Sequence, residues 1–134
     1  MRPHGFVVLA SLGVMACVIG GNLDYLRAGS APGVHVEIRT VRGRAAAGEL
    51  LTVDSTGLLV LGPSKELVRV PLAVADLVEP QRGGPVWVRL PEASALRDLD
   101  QMRLMSRFPQ GVSGDLLGKL LEAYGQDSVR VVRR

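Results

Sequence analysis

GRAAAGELLTVDSTGLLVL, residues 43–61, reads as two strands around a sharp Asp54-Ser55-Thr56-Gly57 turn. Its pattern is GxxxxGxLxxxD, and each marked position has a mechanical reason. Gly43 stands between two strand-like runs, where a tight connection calls for a residue that accepts positive φ. Gly48 lies inside a strand pattern, where a missing side chain permits a bend or a close backbone approach. Leu51 and Val53 fall on one face with Thr52 between them, so the segment alternates. Asp54 can accept a hydrogen bond from the backbone two residues on and start the turn that Gly57 completes.

Working outward, Val34–Val41 alternates Val34, Val36 and Ile38 with His35, Glu37 and Arg39, the signature of a half-buried strand. Leu58–Leu61 is a continuous apolar run closed by the loop composition of Gly62–Glu66. Leu67–Val70 gives a fourth strand, which Pro71 ends, and Leu77–Val78 supplies a fifth. Short strands separated by frequent turns point to a small antiparallel barrel or sandwich. After a break over Gln81–Pro85, Val86–Leu90 alternates around Trp87 as an added strand. Leu96, Leu99, Met102, Met105 and Phe108 recur at a spacing of three and predict a helix stopped by Pro109-Gln110-Gly111. Ser113 is placed to cap a second helix with Asp115 in its first turn, Leu116, Leu117, Leu120, Leu121 and Tyr124 on its apolar face, and Gly125 as its stop. Val129, Val131 and Val132 read as a final strand. The expected class is mainly β with C-terminal helices (α+β).

The strand, glycine turn, bent GxL strand and Asp turn resemble the first motif of the Sm and Sm-like (LSm or Hfq-type) small β-barrels, over roughly Val34 to Pro80. The resemblance implies a small Sm-like barrel over residues 34–90. Two departures bear on function. Gly57 and Leu58 stand where the family's RNA-binding members place a Met-Asn pair, and Leu67-Val68-Arg69-Val70-Pro71 does not match the family's Ile-Arg-Gly-like run. Both speak against a nucleotide pocket.

The chain opens Met1-Arg2-Pro3-His4 and then runs uncharged and apolar or small from Phe6 to Ile19. These are the n-region and h-region of an export signal, shorter than the ~20 residues a comfortable membrane-spanning helix needs. Val14-Met15-Ala16-Cys17 looks like a bacterial lipobox ending in the chain's single cysteine. This reading makes residues 1–17 a signal peptide and Cys17 the lipidation site, with 18–33 a Gly/Pro/Ser-containing tether and 91–134 a helical C-terminal segment. An uncleaved anchor helix, an ordinary cleaved signal and a buried helix stay open as alternatives. Under the enterobacterial sorting pattern, Val18 after the cysteine, in place of Asp, favours the outer membrane where the organism has one.

Net charge is +3, with 14 Arg against 2 Lys. Over residues 34–80, however, five basic side chains face six acidic ones, a net of −1. A nucleic-acid surface concentrates positive charge and adds stacking aromatics. Here two Phe, two Tyr and one Trp are spread over the chain, none among Arg39, Arg42 and Arg44, the residues marked for contact with a partner or with phosphate. His4 and His35 stand alone, Ser55 is a turn hydroxyl, and no acid, cysteine and histidine cluster shows ligand or triad spacing. The expectation is no enzyme, no metal and no cofactor. The chain reads instead as a non-enzymatic envelope lipoprotein, exported and lipid-anchored, acting as a structural or adaptor module for an unknown envelope protein and open to homo-oligomerisation. The alternative is an Sm-like RNA-binding protein, cytoplasmic or membrane-anchored.

Overall fold

Alternation along the first apolar run becomes β1 (His35–Thr40), in which Val36 and Ile38 are buried while His35 and Arg39 are exposed. A computed structural model describes residues 32–81, 88–90 and 95–134. β1 pairs antiparallel with β2 (Gly43–Asp54), twelve residues long, through a hairpin whose tip is Val41-Arg42. Gly43, at φ +112°, takes the positive-φ position of this turn, so neither Val41 nor Arg42 has to adopt it. β2 continues into β3 (Gly57–Leu61), which pairs with β4 (Leu67–Pro71). β5 (Leu77–Pro80) returns to the other edge of β1, and β6 (Val88–Arg89) lies outside it. Trp87 lies outside the described residues.

Two helices follow, α1 (Ala95–Leu104) and α2 (Gly114–Ala123). The chain then reaches β7 (Arg130–Val131), which pairs parallel with β4 where every other ladder is antiparallel. The strand order is β6-β5-β1-β2-β3-β4-β7. The α+β expectation therefore stands as a seven-stranded sheet with two helices. The closed barrel goes further than the pairing found, because among the described residues no ladder joins the two ends of the sheet.

The helices cover opposite faces. Ala95, Leu99 and Met102 of α1 join Val36, Ile38, Leu50, Leu58, Val60, Val70 and Val78 in the main core. Leu120 of α2 packs with Leu51, Leu59, Leu61 and Leu67 on the reverse side, flanked by Phe108, Leu116 and Tyr124. β3 lies between the two layers and is buried throughout. That is why residues 58–61 are continuously apolar where a one-sided strand would alternate. At roughly 1.5–3 kcal/mol for each aliphatic side chain taken out of water, its four large residues are worth on the order of 8 kcal/mol before entropy is subtracted.

The spacing-three stripe predicts helix through Phe108, yet α1 ends at Leu104. The remaining residues serve the sheet. β1 accompanies β2 only as far as Glu49, and β2 bulges between Leu50 and Thr52. Along the uncovered length, Leu50 N donates to Val34 O (2.8 Å), Arg107 N to Leu50 O (3.0 Å) and Phe108 N to Leu51 O (2.8 Å), while Val34 N donates to Met105 O (2.9 Å). The buried Thr52 hydroxyl donates to Phe108 O at 3.1 Å. Helix continuation loses to the cost of leaving these buried backbone groups unpaired. Leu96, expected on the apolar stripe, is 81% exposed; the buried face is Ala95, Leu99 and Met102, at i, i+4 and i+7.

The second helix follows its sequence signals. Ser113 Oγ accepts from Leu116 N at 3.2 Å, and Gly125 follows the C-cap residue Tyr124. Past it, the Gln126 side chain behaves as an added strand residue: its Nε2 donates to Leu67 O (2.9 Å) and its Oε1 accepts from Leu67 N (2.7 Å).

Gly48 carries the bend of β2. Its φ is +151°, and a Cβ there would lie 2.1 Å from Leu61 O, so both conformation and backbone contact reject a side chain. Gly48→Val is expected to destabilise the protein by about 3 kcal/mol or more, lowering Tm by more than ~10 °C. Gly43→Ala meets no atom within 4 Å, so only its positive φ opposes a side chain, and it should cost about 1–2 kcal/mol. Equal melting temperatures for the two variants in a thermal scan would refute this account of the bend.

Candidate functional site

The three arginines marked in the sequence do not form one cationic surface. Glu37 lies two residues before Arg39 on the same face of β1, and Arg39 stands opposite Arg44 of β2, so both guanidiniums reach the Glu37 carboxylate. Arg39 Nε contacts Glu37 Oε1 at 2.8 Å, Arg44 Nη2 contacts Glu37 Oε2 at 3.0 Å, and Glu79 of β5 approaches Arg39 at 3.6 Å. The Arg39 hydrogen bond and the Arg44 charge hold the Glu37 carboxyl below its ordinary range, against the upward push of desolvation. Glu37 in turn raises Arg39. Arg42 stands apart on the hairpin tip, its guanidinium without an ion-pair partner among the described residues.

Arg42 instead borders a groove of about 470 Å³ at that end of the sheet, lined by Thr40, Val41, Arg42, Leu72–Asp76, Leu90 and Arg134. The groove has local causes. The loop after β4 turns back on Pro71, whose carbonyl accepts from Val74 N and Ala75 N, and it is pinned to β1 by Asp76 N donating to Arg39 O at 2.8 Å. Thr40 Oγ1 accepts from Arg42 N at 3.2 Å and so braces the hairpin tip beside it. Arg134 closes the groove with a 3.1 Å hydrogen bond to Ala73 O. Val41, at the apex, is 86% exposed, the most exposed of the large apolar side chains described.

Sequence reasoning missed the groove. One signal was available: a β-branched apolar residue at a hairpin tip, where turn chemistry favours Gly, Asn or Asp. The contribution of Leu72, Leu90 and Arg134 depends on tertiary placement and left no local trace.

At the opposite end of β1, a more polar pocket of about 410 Å³ is lined by His35, Arg44, Gly48, Glu49, Lys65 and Gln81 among others. Its acid is already engaged. Glu49 Oε1 accepts from Gly33 N (2.8 Å) and meets Arg107 Nε at 2.6 Å, both side chains largely buried. The pair ties the incoming chain and the link between the helices to the bend of β2. Lys65, at φ +64°, shapes the adjoining turn. Among the described residues no three His, Cys, Asp or Glu side chains are placed to hold a metal ion. Cys17 and His4 lie outside the described residues.

The Asp54 turn is built as its sequence predicts and extends further. Asp54 Oδ1 accepts from Thr56 N (2.8 Å) and Gly57 N (3.1 Å), while Oδ2 meets Arg69 Nη1 of β4 at 3.1 Å. The hydroxyl in this network is that of Thr56, bonded to both Asp54 and Arg69; Ser55 is exposed. The geometry is that of a turn brace.

No family model matches the chain, and neither the curated proteins nor the solved structures searched contain a match to it.

Burial pushes the Asp54 carboxyl up, but the Thr56 hydroxyl and amide together with Arg69 outweigh it, and the group titrates below its ordinary value. A carboxyl depressed in the folded state adds stability that is present above its unfolded value, about 3.9, and is lost as pH falls through the folded value. The stability gap between wild type and Asp54→Asn should therefore be constant above about pH 5 and narrow below about pH 4. Glu37 is common to both proteins and drops out of the comparison. A gap that stays constant in acid, by urea denaturation, would show that the charge on Asp54 contributes nothing.

Proposed function

We propose that the chain is a non-enzymatic, exported envelope lipoprotein whose folded region acts as an adaptor at the membrane surface. The observation that supports the adaptor role is the groove: an aliphatic floor, an exposed Val41 and the guanidiniums of Arg42 and Arg134 gathered at one end of a sheet. Apolar exposure rimmed by charge is how docking surfaces differ from ordinary protein surface. The anchor rests on the sequence, on Cys17 in its Val14–Cys17 context behind an uncharged apolar run. Anchor and adaptor are complementary, because a tether before Gly33 delivers the folded region to the surface where its partners are.

The kinship with Sm-like small barrels belongs to the same proposal. It is supported by the bend at Gly48 and the brace at Asp54, both where the resemblance puts them. The ladder order is that of an open sheet, so the likeness extends to the bent hairpin more securely than to barrel closure. Pairing of Arg39 and Arg44 with Glu37 and Glu79 weighs against the RNA-binding alternative, since these cations are not available to phosphates without breaking existing contacts.

Metabolic labelling with a fatty acid analogue should mark the wild type, and Cys17→Ala should abolish the label. An unlabelled wild type with an intact N-terminus would remove the lipoprotein reading. Short U-rich or A-rich RNA should show no retention at micromolar protein and physiological salt. Binding that falls steeply with salt, by about 0.7 log units in affinity per log unit of salt for each phosphate contact, and that is lost in Arg42→Ala/Arg44→Ala would restore the RNA reading.

A further inference from the structure

The arginines sort into two groups by what holds them. Arg39 and Arg44 are paired with Glu37, Arg103 with Asp100 and Arg130 with Glu66. Arg42 and Arg133 make no ion pair among the described residues, and Arg134 contacts only the Ala73 carbonyl there. These three sit at one end of the molecule. Arg42 and Arg134 border the same groove, and Arg133 lies between Arg134 and Val132, whose N–H donates to Arg69 O. Among the described lining residues the charged side chains are Arg42, Arg134 and Asp76, two cations to one carboxylate.

The most exposed large apolar side chain described, Val41, projects from this same end with Arg42 beside it and an aliphatic surface behind it. An aliphatic tip flanked by cations is the arrangement that enters the headgroup layer of an anionic bilayer, the apolar group reaching the acyl boundary and the guanidiniums taking the phosphates. Other occupants fit less well. Among the described residues the groove lining contains no aromatic side chain for a base to stack on. A peptide strand would need an open ladder, but the amides of Val74, Ala75, Asp76 and Leu90 around the groove are already bonded internally.

We infer that this end of the protein docks on an anionic lipid surface, with Val41 in the interface and Arg42, Arg133 and Arg134 on headgroup phosphates. The inference deepens the membrane-surface reading given above and shares its location, but the lipid anchor is not required for it. It orients the molecule, turning the polar pocket of His35 and Lys65, at the far end of β1, away from the membrane.

The test uses the full chain carrying Cys17→Ala, so that no lipid is attached and a single introduced thiol can be labelled. An environment-sensitive fluorophore is placed at Ala73→Cys beside the groove, or at Ser64→Cys in the β3–β4 turn at the opposite end. Vesicles are phosphatidylcholine alone or an equimolar mixture with phosphatidylglycerol. The expected result is a blue shift and quenching by a bilayer-embedded quencher for the label at 73 on the mixed vesicles only, and neither effect for the label at 64. Arg42→Gln and Arg134→Gln should each weaken the anionic-lipid-dependent signal about fivefold, with Val41→Asp weakening it further. Equal signals at 73 and 64, or on the two vesicle types, would overturn the inference. So would the absence of any shift at 73, which would leave the groove to a protein partner. Fatty-acid labelling reads the anchor independently: loss of that label with the position-73 response intact removes the anchor and keeps the docking surface, and the reverse result does the opposite.

Discussion

Every buried amide and carbonyl of β2 needs a partner, and β1 is half its length. That mismatch dictates much of the remaining architecture. β1 serves β2 only to Glu49, so the rest of that edge is completed by pieces that are not strands: Val34 from the incoming chain, and Arg107 and Phe108 from the link between the helices. Because the link must run along β2, α1 is held against the main core and α2 emerges on the opposite face. The two hydrophobic layers, the full burial of β3 and the ending of α1 at Leu104 all follow from satisfying one strand's backbone.

The same economy explains how the polar side chains are used. Glu49 joins Gly33 and Arg107 at the bend, Asp54 joins the turn to β4 through Arg69, and Gln126 supplies the pair of hydrogen bonds a strand residue would have made to Leu67. Each links segments distant in sequence at a point where the ladder is interrupted. Glu37 does a related job on the surface by drawing Arg39 and Arg44 together across the hairpin. Among the described arginines without an ion pair, Arg42 and Arg134 line the groove and Arg133 is the chain neighbour of Arg134.

Local features were legible in the sequence. Gly43, Gly48 and Asp54 announced a tight turn, a bend and a braced turn because each acts through its own backbone or its immediate neighbours, and Ser113 announced a helix start for the same reason. The pairing of Arg39 with Glu37 could have been read from their period-2 spacing, whereas Arg44 required the cross-strand register. What resisted reading was non-local. The stripe from Leu96 to Phe108 has helical spacing, but its last residues answer to the hydrogen-bonding demand of a strand some 55 positions earlier, as the Thr52–Phe108 contact shows with a separation of 56. The parallel pairing of β7 and the meeting of Val41 with Leu72, Leu90 and Arg134 had no local signature, since their chemistry arises only once the sheet has brought its ends into place.

The parallel attachment of β7 to β4 has a consequence for solubility. β4 is an apolar strand, Leu67-Val68-Arg69-Val70, and its outer side would present unpaired backbone groups next to buried valines were it not covered by Arg130–Val131 and the Gln126 amide. An uncovered edge of that kind is a template for intermolecular strand pairing. The short final strand and its arginines, with like charge repelling a second copy, act as a gatekeeper. Residues 130–134 therefore matter beyond the folding energy they add: while they are displaced, whether by a proteolytic nick or before folding is complete, the chain exposes the segment through which it would self-associate.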